Sequence, residues 1–176
     1  MLKYSFVNKY DAKPKRRLYE VLKSQGLQMN QQVVFLSDGG DTVRSLQRYL
    51  SPESEHLLDW FHITMRLTVM KQMTKGMITE LASQKKTKKE ADESENTDVP
   101  AQLLKQLESI KWHLWHGNVT EALARIHDVD DDLEIWEEKP TNKKKLLKLV
   151  HEFETYIRAN GAFIPNYGER YRHNET

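Results

Sequence analysis

The first third of the chain alternates between short apolar runs and stretches with helical spacing. Residues 2–10 alternate in polarity like a strand, and 31–37 and 55–61 are short apolar runs typical of buried strands. Between these runs, 13–26 and 42–50 carry apolar residues at helical spacing. Connections of this length are crossover helices, so the last two strands are expected to be parallel.

From residue 63 onward the pattern becomes helical. In the stretch 63–83 we expect Met65, Val69, Gln72 and Met73 to lie on one side of a helix. Two further helices carry clear apolar stripes and are expected to face a core through them: Leu103, Leu107, Ile110 and Leu114 in one, and Leu146, Val150, Phe153 and Ile157 in the other.

Residues that begin and end helices support these boundaries. Gly117 is expected to end one helix in the left-handed conformation. Asn118 and Glu121 then fit a capping box for the next helix, which carries Ala122, Leu123 and Ile126. Thr141 can cap the last long helix.

The predicted fold is therefore an α/β part followed by an all-helical part. The α/β part covers 1–62, with about three strands and crossover helices. The helical part covers 63–160 and includes a charged segment at 84–100 that reads as a linker. A C-terminal tail, 161–176, follows.

Composition narrows the class of protein. The chain has 176 residues, a net charge of +1 and no cysteine. Thiolate metal sites and disulfides are thereby excluded, and any DNA contact must come from local patches. No apolar run approaches the roughly 20 residues of a membrane span, and the N-terminus lacks the apolar segment of a signal peptide. We expect a cytoplasmic protein without a membrane partner.

Asp38 directly follows the second predicted strand and precedes two glycines. Binding sites of open α/β sheets form beyond the carboxyl ends of the strands. A carboxylate at that place is a candidate Mg²⁺ ligand. The alternative is that Asp38 only forms the turn in "SDGGD", since Asp-Gly is a common turn signal.

Asp59 and His62 come at the end of the next predicted strand. If the two strands are parallel neighbours, these residues lie along the same sheet edge as Asp38. Carboxylates gathered from several strands around divalent ions are typical of phosphoryl-transfer sites. The alternative reading makes Asp59 the cap of the following helix and His62 a residue of its first turn.

Several segments of the sequence resemble one group of DDE transposases. "FLSDGGDTVRSLQRYLSP", "EHLLDWFHITMRLTVMKQM", "SIKWHLWHGNVTEAL" and "IPNYGERYR" are similar to the Kra-type insertion-sequence transposases, which share with Mutator-like enzymes a D-x-x-H element. The resemblance covers nearly the whole chain. It implies an RNase H-like core, here partial, interrupted by a helical insertion, and DNA strand transfer that depends on Mg²⁺ or Mn²⁺.

The resemblance also assigns roles to residues. Asp38 matches the second of the family's three acids and is the implied metal ligand, and Asp59 and His62 match the D-x-x-H element. The first acid is expected on a strand upstream of Met1, and the third on a helix after "YGERYR". Glu169 and Glu175 are late candidates, but the third acid is carried onto neither. We expect the chain to be truncated at both ends and inactive alone.

Basic residues within the matched segments are the candidate DNA contacts. They are Arg44, Arg66, Lys111, Arg170 and Arg172. Interleaved Tyr and Arg in "YGERYRH" suit backbone contact and base stacking, whereas the alternative is a flexible tail. Expected partners are transposon-end DNA, a second copy, or full-length transposase. The competing function is a stand-alone DNA-binding protein that inhibits the transposase.

Two further motifs are expected to have structural roles and not to bind metal. In "KWHLWHGN", Trp112 and Trp115 are expected to pack against other helices, because the metal reading of His113 and His116 lacks further ligands. "HDVDDDLE", residues 127–134, lacks the spacing of a Ca²⁺ loop and is expected to be a solvated helix junction.

Overall fold

A computed structural model describes residues 13–28, 31–87 and 99–174. The chain divides into two compact units, one up to Leu57 and the other from Leu58 onward. The predicted strand at 2–10 lies outside the described residues. The predicted linker begins later than expected, because helix extends to Thr87 and resumes at Val99. The remaining linker residues, 88–98, are outside the described ranges.

The first unit contains two helices and a small sheet. Its elements are α1 (Pro14–Ser24), β1 (Val34–Ser37), α2 (Asp41–Leu50) and β2 (Glu55–Leu58), whose last residue belongs to the second unit. The strands β1 and β2 are neighbours and run parallel, as predicted from the crossover between them. Pro14 stands in the first turn of α1, where its missing N–H costs nothing. Gly26 follows α1 with φ of +96°, a conformation that favours glycine.

The expectation that 31–37 forms a buried strand is wrong in part. Val34 is 47% exposed and Leu36 is 62% exposed. The buried member of β1 is polar, since Ser37 is 7% exposed, whereas β2 buries both His56 and Leu58. A two-stranded sheet has few neighbouring layers, so one face of β1 keeps its apolar side chains in solvent within the described residues.

The second unit is a bundle of helices. Its elements are α3 (Trp60–Thr87), α4 (Val99–Trp115), α5 (Val119–Ile135), α6 (Lys143–Asn160), a 3₁₀ turn (Gly161–Phe163) and α7 (Tyr167–Arg172). Helix α4 packs between α3 and α5, and α6 packs against both α5 and α3. The predicted stripes of α4 and α6 are buried and form the core together with Ala122, Ile126, Val129 and Leu133 of α5.

The side of α3 that carries Met65, Val69, Gln72 and Met73 is not the side that the helix buries. The buried stripe consists of Ile63, Leu67, Met70, Thr74 and Met77. Met65 and Val69, by contrast, are 44% and 43% exposed. Apolar residues occur all round this helix, so periodicity alone cannot select its inner side. Packing against α4 and α6 selects the stripe with spacing of four and three.

Helix ends follow the prediction at one point and depart from it at two. Gly117 has φ of +73°, and the bonds from Gly117 N to Leu114 O and from Asn118 N to His113 O form a Schellman end. Asn118 stands at the N-cap of α5 but makes no side-chain capping bond. Thr141 caps nothing, because its N–H and hydroxyl both donate to the Glu80 carboxylate, and Asn142 is the N-cap residue of α6.

Among the described helices, none combines the length and the apolar character needed to cross a membrane.

Candidate active site at the strand ends

Asp59 is the single residue between β2 and α3. Its Oδ1 accepts a hydrogen bond from the N–H of Phe61 at 2.9 Å, so it caps the helix as the bland alternative expected. The other oxygen, Oδ2, lies 3.8 Å from Nε2 of His62. Both side chains are about one-third exposed. The structure thus brings the two residues of the D-x-x-H element together while leaving them accessible.

An aromatic cluster supports this junction. The ring of Trp60 lies 5.0 Å from those of both Trp115 and Tyr167, centroid to centroid. The Tyr167 hydroxyl donates to the carbonyl of Leu58 at 2.6 Å. Burial raises the pKa of Tyr167 well above its usual range, and the neighbouring Tyr156 and Asp59 add to the shift. The phenol therefore stays neutral and keeps its proton for the Leu58 carbonyl.

Close packing at Gly168 holds α7 against this cluster. A Cβ at Gly168 would come within 2.7 Å of the indole nitrogen of Trp115. The predicted tail thus begins with a packed segment: Asn166 caps α7 by accepting from the N–H of Glu169 at 3.0 Å. The sequence suggests that Tyr167 stacks on DNA. It does not reveal the contact with Leu58, because no local sequence pattern identifies a partner 109 residues away.

Asp38 follows β1 directly and is exposed. Its Oδ1 accepts from the N–H of Gly40 at 3.0 Å, which forms the turn that the alternative interpretation expected. Gly39 has φ of +93°. Turn formation and metal binding are compatible, because a carboxylate has about four lone-pair sites and can serve a main-chain N–H and a cation together.

The predicted DNA contacts stand in different surroundings. Nη1 of Arg44 lies 3.7 Å from the Asp41 carboxylate, and its side chain is only 19% exposed. The guanidinium of Arg66 lies over the ring of Tyr156 at 4.2 Å. Arg66 is exposed beside this ring, so it can meet a phosphate more readily than Arg44.

The remaining basic candidates lie on α4 and α7. Nζ of Lys111 lies 3.4 Å from Glu108 and 4.9 Å from the centroid of the Trp112 ring. Trp112 is 49% exposed, so the expected packing of both tryptophans holds for Trp115 and fails for Trp112. On α7, Arg172 is exposed and Arg170 is partly buried.

The expected helix junction at 127–134 is instead the interior of α5. There Asp130 and Glu134, one turn apart, bring carboxylate oxygens within 4.8 Å of each other and of a His151 nitrogen. Nε2 of His151 is 2.7 Å from Oδ1 of Asp130. This contact joins α5 to α6. The sequence missed it because the two helices are paired only in the fold.

Comparisons of the chain with protein-family models, with curated proteins and with solved structures find no significant match.

Proposed function

We propose that the chain is part of a DDE-type transposase that cuts and joins DNA strands by metal-dependent phosphoryl transfer. The observation that carries the proposal is the placement of acids after strands. Asp38 directly follows β1, Asp59 directly follows β2, and these strands are parallel neighbours. The contact of His62 with Asp59 adds the second half of the D-x-x-H element. We also propose that β1 and β2 belong to a partial RNase H-like core that contains a third strand.

Each residue has a role in the proposed chemistry. Asp38 would hold Mg²⁺ or Mn²⁺, hard cations that prefer oxygen ligands. Bound ions would activate the attacking hydroxyl and neutralise the leaving oxygen. The Asp59 carboxylate would orient the His62 imidazole. His62 would donate a hydrogen bond to a phosphate oxygen of the DNA.

DNA would be held by basic groups supported on aromatic rings. Arg66 on Tyr156 and Lys111 on Trp112 share this arrangement. A guanidinium laid on a ring keeps its N–H edge for phosphate, and the ring limits the side chain's freedom. Lys111 is shared with Glu108, so Arg66 is expected to contribute more to DNA affinity. Arg44, Arg170 and Arg172 complete the proposed set.

We further propose that the chain does not cleave DNA alone. The resemblance implies three acids, and among the described residues only Asp38 matches one of them. Activity would require the segments that carry the other two acids.

A second candidate is a DNA-binding protein that pairs with full-length transposase and inhibits it. The observation in its favour is that the residues from Leu58 to Asn174 build a core of their own around α3 to α6. Such a unit could bind DNA or a second transposase chain without the catalytic acids.

Reading the DNA on both sides of the coding sequence tests the first candidate. Translation is expected to give an acid-bearing strand upstream and a Glu-bearing helix downstream. Unrelated genes on both sides would remove that support. Salt-dependent binding to the flanking DNA, combined with inhibition of strand cleavage by a complete transposase, would then favour the second candidate.

A further inference from the structure

We propose that His56 is a positioning residue that holds the loop carrying Asp38 through a chain of side-chain hydrogen bonds. All residues of this hydrogen-bond series belong to the first unit. The effect on catalysis rests on the proposed function, whereas the hydrogen-bond chain does not.

The first half of the chain leads from the loop to His56. Nε2 of His56 lies 2.7 Å from Oγ of Ser37, and both side chains are buried. The N–H of Gly39 donates to the same Oγ at 3.2 Å. Ser37 and Gly39 are the residues on either side of Asp38, so one hydroxyl ties both of its neighbours to His56.

The second half fixes the direction of every bond. Nε2 of Gln47 donates to the Ser54 carbonyl at 2.6 Å, which a flipped amide could not do, because two acceptor oxygens would then face each other. Oε1 of Gln47 therefore faces Nδ1 of His56, 3.1 Å away, as an acceptor. Nδ1 must carry a proton, and in the neutral ring Nε2 then accepts from the Ser37 hydroxyl.

The neutral imidazole that fits this arrangement carries its proton on Nδ1. Burial lowers the pKa of His56, and the positive charge of Arg44 lowers it further, so the surroundings favour the neutral form. The consequence is a rigid loop. The backbone on both sides of Asp38 is anchored through His56 to α2 and to the turn before β2, which holds the Asp38 carboxylate in place for a cation.

The tautomer gives a direct spectroscopic test. Long-range ¹H–¹⁵N correlation spectra of the labelled chain resolve which imidazole nitrogen carries the proton, and the signal that disappears in His56→Gln identifies His56. We expect a neutral ring protonated on Nδ1. A ring protonated on Nε2, or a charged ring at pH 7.5, would overturn the proposal.

Variants test whether the series of hydrogen bonds through His56 holds the loop that carries Asp38. Gln47→Met removes the acceptor for Nδ1 and should move the proton to Nε2. Ser37→Ala should speed hydrogen exchange of the Gly39 amide by roughly fivefold to tenfold, the equivalent of one net hydrogen bond. Ser37→Thr keeps the hydroxyl and should restore slow exchange. Ser24→Ala, whose hydroxyl bonds within α1, is the matched control.

Unchanged Gly39 exchange in Ser37→Ala would contradict the positioning role. The proposed function fails by a different result, the absence of strand cleavage by the complete protein. If the complete protein does not cleave DNA but His56 shows the expected tautomer and Gly39 the expected exchange, the proposed function fails and the role of His56 in holding the loop is retained.

Discussion

The hydroxyl of Tyr167 donates a hydrogen bond to the main-chain carbonyl of Leu58 at 2.6 Å, although 109 positions separate the two residues. Leu58 is the last residue of β2 and directly precedes Asp59. Helix α7 is thereby joined to the backbone that carries the D-x-x-H element.

Removal of this hydroxyl should destabilise the helical unit. In Tyr167→Phe the ring remains in the cluster, but the buried Leu58 carbonyl loses its donor. We expect the free energy of unfolding, measured by urea denaturation, to fall by about 1–3 kcal/mol. Tyr171→Phe is the control, since Tyr171 is 70% exposed and should change stability little. Equal effects of both variants would contradict the assigned role of Tyr167.

The close contact of Gly168 with Trp115 predicts that an added methyl group destabilises the helical unit. Gly168→Ala forces a methyl group to within 2.7 Å of the indole nitrogen, and the aromatic neighbours leave the indole little room to shift. We expect a loss of about 1–3 kcal/mol in unfolding free energy. Gly76→Ala is the matched control, because the nearest atom there is 3.9 Å away and the position is helical. That variant should stabilise by about 0.5–1 kcal/mol.

Truncation of single side chains tests which side of α3 is buried. Leu67 is 1% exposed, whereas Met65 is 44% exposed. Leu67→Ala should lower the unfolding free energy by about 2–5 kcal/mol through lost burial and a residual cavity. Met65→Ala should change it by less than about 1 kcal/mol. Chemical denaturation measures both losses in unfolding free energy. A larger loss for Met65→Ala than for Leu67→Ala would contradict the structure.

The sequence was informative where local chemistry decides the structure. Pro14, Gly26 and Gly117 mark helix ends through their own backbone preferences, and the crossover length required parallel strands. It was uninformative where distant packing decides. Met65 and Leu67 are both apolar, and only α4 and α6 determine which one is buried. The partners of Tyr167 and His151 belong to other elements, so no local pattern could reveal them.

The contact between Lys71 and Glu108 predicts a pH dependence of stability. The hydrogen bond from Lys71 lowers the pKa of the Glu108 carboxyl below its ordinary value of 4.5. A carboxyl with a lowered folded-state pKa contributes stability that is present above the unfolded value and lost as pH falls through the folded one. We therefore expect a loss below about pH 4.5, small because the side chain is 44% exposed and solvent-screened.

Glu108→Gln separates this contribution from the rest of acid unfolding. Thermal melts between pH 3 and pH 6 should show a shallower fall of Tm for the variant than for the parent chain. Lys71→Met should have the same effect, because it removes the donor. Identical pH profiles for all three proteins would show that this pair makes no measurable contribution.

Strand cleavage tests the central claim most directly. A protein that joins this chain to the segments encoded on either side of it would be incubated with labelled DNA from the element's ends and with Mn²⁺. We expect nicking that disappears in Asp38→Asn and is retained in Asp41→Asn, a nearby exposed acid. The chain alone should not cleave. Nicking that survives Asp38→Asn, or none at all from the joined protein, would contradict the proposed transposase.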